Sequence, residues 1–190
     1  LIVHEDLFYH VETEHDKVPE EKKVPNIKRK ELLEKANMVV YRIHSPWDRK
    51  EKIGVVDAFI SFLGWETEKR DFPWVKICIL PKARSIEELA EELKEKIGLK
   101  GVWTNGVSQN KVRRVGIAVG GFGLWGYWVQ TLADMGAEVI IAGETHEYTA
   151  LFAREYGIGM IEVGHSTMEN IGLKRLADTL KERFSSLNVH

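Results

Sequence analysis

Three apolar stretches of this chain end in a histidine, and each histidine has a carboxylate close by in sequence. Leu1, Ile2 and Val3 run into His4, which Glu5 and Asp6 follow. Tyr41, Arg42 and Ile43 run into His44, with Asp48 four residues on. Ile161, Glu162, Val163 and Gly164 run into His165, with Glu169 at the same interval. Neutral imidazole beside carboxylate oxygen is a donor mixture that suits Zn, Mn, Fe, Co or Ni. A shared carboxylate can bridge two such ions, and a bridged pair can activate water. In an open α/β sheet, ligands collect outside the carboxyl ends of the strands. Parallel strands would therefore bring the three histidines to one edge.

Each of these residues also has a purely structural reading. Ser166, Thr167, Met168 and Glu169 have the spacing of a capping box, in which Glu169 only closes a helix N-terminus. Asp48 can cap the helix that follows it, and His44 can be a hydrogen-bonded histidine of the core. The recurrence at three strand exits balances these local readings. His10, His15 and His190 stand in polar or terminal contexts and read as solvated.

Helices and strands alternate along the chain. After a charged loop over 12–23, the periodicity predicts a helix from Asn26 bearing Ile27, Leu32, Leu33 and Ala36, then a strand over 38–43. Pro46 turns the chain into a helix ending near Gly64. A strand over 75–80 closes on Pro81, and Ser85 with Glu88 caps a helix carrying Leu89, Leu93 and Ile97. Two strands, 101–109 and 111–119, flank Asn110. Helices then alternate with strands over 137–142 and 158–163, and a last helix covers about 168–187. This order predicts an α/β fold: layered, mostly parallel sheets flanked by helices, in two lobes. The lobes are 1–70 and 75–190, divided by the weakly featured segment 65–74. The opening on Leu1 without Met reads as the end of a buried strand, so a natural N-terminal segment is expected to be missing.

Composition bounds the function. The 190 residues carry 27 Lys and Arg against 29 Asp and Glu, so no global positive field attracts nucleic acid. No apolar run approaches the ~20 residues of a bilayer span, which argues against a membrane protein. Cys78 is the sole cysteine, which excludes an intrachain disulfide and a cysteine-based zinc cluster and points to a reducing cytoplasm.

Four segments resemble the YbgI/NIF-three-like family of dinuclear-metal proteins, the GTP cyclohydrolase type two homologues. The run from Leu1 to Phe8 is similar to its "VHHGLF" opening, and Tyr41 to Asp48 to its "YxxHxPxD" segment. Gly143 and Glu144 are similar to its "TGE" turn, and Gly164 to Glu169 to its "GHxxxE" motif. Order and spacing agree from residue 1 to about 185. The resemblance implies two divalent ions per chain (Zn, Fe, Mn, Co or Ni) on His4, Glu5, Asp48, His165 and Glu169, with Glu169 bridging. Glu5 departs from the family, which has a second histidine there; a carboxylate makes the site harder and more anionic. Glu144 and His44 are the candidate catalytic residues, Glu144 orienting a ligand or water and His44 holding Asp48 or relaying a proton. Glu144 can equally be a carboxylate favoured near a helix N-terminus, and His146 nearby carries a weaker case. The resemblance further implies a ring-shaped homo-oligomer, usually a homohexamer, and a start some tens of residues earlier.

Gly121, Phe122, Gly123, Leu124, Trp125 and Gly126 spell a dinucleotide fingerprint after a strand, with Glu144 about 20 residues on. Bulky Phe122, Leu124 and Trp125 and the late position argue for packing instead, so no nucleotide-cofactor residues are assigned. Three functions remain. The first is a metal-dependent hydrolase of a nucleotide-like or phosphorylated small molecule. The second is a non-catalytic metal-binding or regulatory protein, and the third a nucleotide-cofactor oxidoreductase.

Overall fold

A computed structural model describes residues 1–10, 17–19, 22–68, 72–105 and 111–189. His15, His190, Asn110 and part of the expected loop over 12–23 lie outside the described residues. The chain divides into two compact units, Leu1–Trp47 and Asp48–His190.

In the first unit, β1 (Ile2–Val3) pairs in parallel with β2 (Tyr41–Arg42), Ile2 opposite Tyr41 and Val3 opposite Arg42. Both strands are shorter than their apolar runs, leaving Met38 and Val39 exposed. Between them α1 (Val24–Lys35) starts with Pro25 in its first turn, where the missing N–H costs nothing. Asn26 ties it to the segment after β1, its amide donating to Tyr9 O (2.9 Å) and its oxygen accepting from Tyr9 N (2.8 Å). The helix forms as its periodicity predicts, but none of its residues is buried, and Leu32 is 67% exposed.

The second unit holds the larger, six-stranded sheet. The short helix α2 (Ser45–Asp48) leads into it, followed by α3 (Val55–Leu63), β3 (Glu66–Thr67) and β4 (Val75–Arg84). Then come α4 (Ile86–Ile97), β5 (Trp103–Asn105), β6 (Val112–Ala118), α5 (Gly126–Asp134) and β7 (Val139–Ala142), and α6 (Glu147–Glu155), β8 (Gly159–Glu162) and α7 (His165–Arg183) complete it. The strand order is β3-β4-β6-β7-β8-β5. Parallel pairing occupies the centre, β6 to β7 and β7 to β8, and antiparallel pairs flank it. The α/β class is as the alternation predicts.

Packing explains the pattern. All four residues of β7 are buried, which is why that strand reads as a continuous apolar run rather than an alternating one. Ile140 and Ala142 join Val129 and Leu132 of α5 and Ala153 of α6 in one core cluster. Val139 and Ile141 face the opposite side by the period of two, and there Ile86 of α4 lies against Gly159 of β8. Residues 65–68 and 72–74 lie inside this unit, in which α3 packs on α7 and on β3 and β4.

Three local expectations meet non-local competition. Pro81 does not end its strand: a register irregularity between Ile79 and Arg84 lets β4 continue and pair Arg84 with Val112. Of the strand expected over 101–109, residues 106–109 lie outside the described residues, and β5 pairs with β8 at the far edge of the sheet. The last helix begins at His165, earlier than its apolar stripe suggests.

Candidate functional site

The first unit gathers His4, Glu5 and His44 at the carboxyl ends of its paired strands. Parallel register continues past the ladder, with Ile43 N–H donating to Val3 O at 2.9 Å. His4 is buried, and its Nδ1 lies 2.8 Å from Ile43 O, so the N–H sits there and Nε2 carries the lone pair. The His4 and His44 rings stand 4.7 Å apart between centroids. His44 Nε2 is 3.3 Å from Glu5 Oε1, and its Nδ1 is 3.2 Å from Ser45 Oγ. One donor atom from each of His4, Glu5 and His44 lies within 4.8 Å of the others. Beside them Asp6 meets Arg42 Nε at 3.1 Å and His10 Nε2 at 3.1 Å. The His10 hydrogen bond, then Arg42, hold the Asp6 carboxyl below its ordinary range.

In the second unit the three parallel strands deliver their exits to one edge. β6 leads to Gly120, β7 to Gly143 and Glu144, and β8 to Gly164 and His165. Gly143 N–H donates to Ala118 O and Val163 N–H to Ala142 O, both at 3.0 Å, which keeps the exits in register. His165 Nδ1 lies 2.8 Å from Glu144 Oε2, and its Nε2 lies 3.0 Å from Glu169 Oε1, one helical turn along α7. Glu169 and Asp48 are buried carboxylates. Gly120, at φ +53°, makes the room: a Cβ there would lie 2.3 Å from Glu169 Oε1 and 3.2 Å from His165 Nε2.

These placements bear on the local readings. The helix N-cap is Gly164 and no side chain caps it, so Glu169 sits beyond the capping position and turns to His165 instead. Asp48 ends α2, while the N-cap of α3 is Gly54. His44 is partly exposed rather than a core histidine. Glu144 precedes α6 but spends its carboxylate on His165, and His146 takes the N-cap place. Gly120 was not singled out from sequence; the glycine doublet at a strand exit was the available signal, hidden beside the fingerprint pattern. That pattern itself folds as a 3-10 turn, Gly120–Leu124, with Trp125 extended before α5. The Glu169 carboxylate against Gly120 puts negative charge at the turn, which disfavours a dinucleotide phosphate.

The donor set fits a divalent metal. With its proton on Nδ1 toward Glu144, neutral His165 presents a lone pair to a carboxylate, an arrangement favourable only with a proton or a metal cation between them. His165 Nε2 and Glu169 Oε1 are the donor pair that would hold a divalent ion. A carboxylate on the remote ring nitrogen is the usual support of a metal-binding histidine.

Known proteins carry the same architecture. A GTP cyclohydrolase 1 type 2 homolog of Archaeoglobus fulgidus is 28% identical over 161 residues, which is 82% of this chain and 62% of that protein. Its counterpart in Neisseria meningitidis is 30% identical over 150 residues, 78% of this chain and 58% of that protein. The chain thus spans about three fifths of the length of these relatives. Among solved structures, a Bacillus cereus protein related to NIF3 superposes with TM-score 0.80 at 16% identity, over 100% of this chain and 79% of that one. Protein ybgI, of unknown function, gives 0.78 at 24% identity, over 95% and 70%. The Duf34/NIF3 (NGG1p interacting factor 3) profile matches residues 1–190, and this chain belongs to that family.

Proposed function

We propose that this chain binds two divalent metal ions through His4, Glu5, Asp48, His165 and Glu169, and works as a metal-dependent hydrolase on a nucleotide-like or phosphorylated small molecule. The observation that carries the reading is His165, held by Glu144 at 2.8 Å on one nitrogen and facing Glu169 at 3.0 Å with the other. A divalent ion supplies Lewis-acid chemistry and makes water nucleophilic near neutral pH. Glu144 keeps the His165 proton on Nδ1, so that Nε2 stays a donor. Asp48 and Glu169 contribute buried negative charge, and Gly120 keeps the space beside Glu169 clear of a side chain. His44, between Glu5 and Ser45, is placed to hold or pass a proton at Nε2. The names of the curated relatives, GTP cyclohydrolase 1 type 2 homolog, support a nucleotide-like substrate.

Metal content by plasma mass spectrometry, on protein purified without chelator, tests this. About two ions per chain, lost in Glu169→Ala, is the expected result. Protein that stays metal-free after exposure to Zn, Mn, Fe, Co and Ni overturns it. Turnover of nucleotides and phosphate esters above the rate of free metal, abolished in Glu169→Ala, is expected of the hydrolase; its absence from metal-loaded protein leaves the non-catalytic metal-binding reading.

We also propose the homohexamer that the family resemblance implies. Leu32, Val39 and Tyr41 of the first unit are 67%, 82% and 64% exposed, apolar surface of a kind that interfaces cover. Light scattering at six chain masses is expected, and a monomer mass overturns it. Among the described residues no helix is long and apolar enough to cross a membrane. The lone, buried Cys78 supports a reducing, cytoplasmic setting.

A further inference from the structure

The second unit contains a cavity of about 460 Å³ whose lining includes neither His165 nor Glu169. Trp103 of β5 stands directly opposite Glu162 of β8, so both side chains occupy one face of the sheet, and Asn105 two residues on shares it. Trp103 is 47% exposed and lines the cavity. Glu162 is held in place by one oxygen: Thr145 N–H and Thr145 Oγ–H both donate to Oε2, at 2.9 and 2.6 Å. Its other oxygen, Oε1, accepts no hydrogen bond from any described residue. Asn105 spends its amide nitrogen on Ala150 O at 2.6 Å, which leaves its oxygen as a further acceptor. Glu147 adds a second carboxylate and Leu151 an apolar wall; among the described residues the one basic group in the lining is the His146 imidazole, and no lysine or arginine lines the cavity.

A site rich in acceptors, doubly acidic and lined by an exposed indole selects an organic cation. Planarity decides which one. A guanidinium can lie flat on an indole while its N–H groups reach acceptors at the ring edge, whereas a compact ammonium is more strongly hydrated and cannot stack. The volume is that of a small-molecule pocket.

We propose that this cavity binds a small molecule bearing a guanidinium group, stacked on Trp103 and donating to Glu162 Oε1 and Asn105 Oδ1. The site needs no metal. It is nevertheless linked to the proposed metal ligands, because Thr145, which holds Glu162, follows Glu144, which holds His165.

Calorimetric titration of the full chain with agmatine tests the proposal, with 1,4-diaminobutane as the arm that keeps the ammonium and lacks the guanidinium. Saturable binding of agmatine is expected, about tenfold weaker in Glu162→Gln and in Trp103→Leu. Diaminobutane should bind about tenfold more weakly than agmatine to the wild type, and Trp103→Leu should erase that preference. No saturable heat from agmatine, equal affinity for the two amines, or unchanged binding in Glu162→Gln overturns it. Thermal unfolding of both variants checks that they fold; if Glu162→Gln does not, the preference in Trp103→Leu still decides. Repeating the titration after chelation separates this site from the metal reading, since agmatine binding should persist.

Discussion

His165 is the residue on which the candidate chemistry turns, because its two nitrogens meet two different carboxylates. Glu144→Ala removes the support of Nδ1 and is expected to weaken metal binding about 10- to 100-fold with little change in stability, measured by competition with a chromophoric chelator. Gly120→Ala is harsher. Its Cβ would meet Glu169 Oε1 at 2.3 Å and its backbone is left-handed, so we expect a loss of roughly 1–3 kcal/mol in urea unfolding together with loss of bound metal. Cys78 is the contrasting case. Burial raises its thiol to about 12, so thiolate is scarce at pH 8. Disulfide reagents should leave native protein unlabelled at pH 8 and label one thiol once it is unfolded in urea; rapid native labelling would contradict its burial.

Elements turn these residues toward one another. Three adjacent parallel strands end at one edge, and α7 starts there with His165 in its first turn. The position of α7 is set by its contact with α3, where Gly172 lies so close that a Cβ would come within 2.7 Å of Val55 Cα. Gly172→Ala gains about 1 kcal/mol of helix propensity, but overpacking against backbone costs roughly 1–3 kcal/mol. The clash should win, and a higher urea midpoint in Gly172→Ala would show that the helices yield. The starts of α4 and α7 show how far local pattern reaches. Ser85 and Glu88 form the capping box their spacing predicts, with Glu88 N–H to Ser85 Oγ at 3.1 Å and Ser85 N–H to Glu88 Oε2 at 2.8 Å. Ser166 and Glu169 have equal spacing and form none, because the helix has already begun at His165.

At the scale of the whole molecule, the proposed metal binding is linked to folding. An ion that binds the native chain and not the unfolded one stabilises it by about 2.7 kcal/mol at a hundredfold excess over Kd. Adding Zn or Mn to chelator-treated protein should therefore raise Tm in calorimetry, and chelation should reverse the gain. Glu169→Ala should show no such shift. An equal rise in that variant would mean that the ions bind elsewhere.

The α/β class, most of the helices and the three strand exits were legible in the sequence because they depend on neighbours a few residues apart. The apolar runs ending at His4, His44 and His165 are of this kind, as is the cap at Ser85. Which strands pair is decided by burial across the sheet. Hence β1 and β2 form a two-stranded sheet of their own, and β5 leaves its sequence neighbour β6 for β8. The hydrogen bond from His165 to Glu144, 21 residues apart in sequence, follows from parallel pairing of β7 with β8. The clearance at Gly120 follows from the close approach of α7 to the exit of β6. Sequence by itself determined the donor types and their places at strand ends; only the tertiary structure decided which donors face one another, since that depends on strand order and helix packing rather than on local spacing.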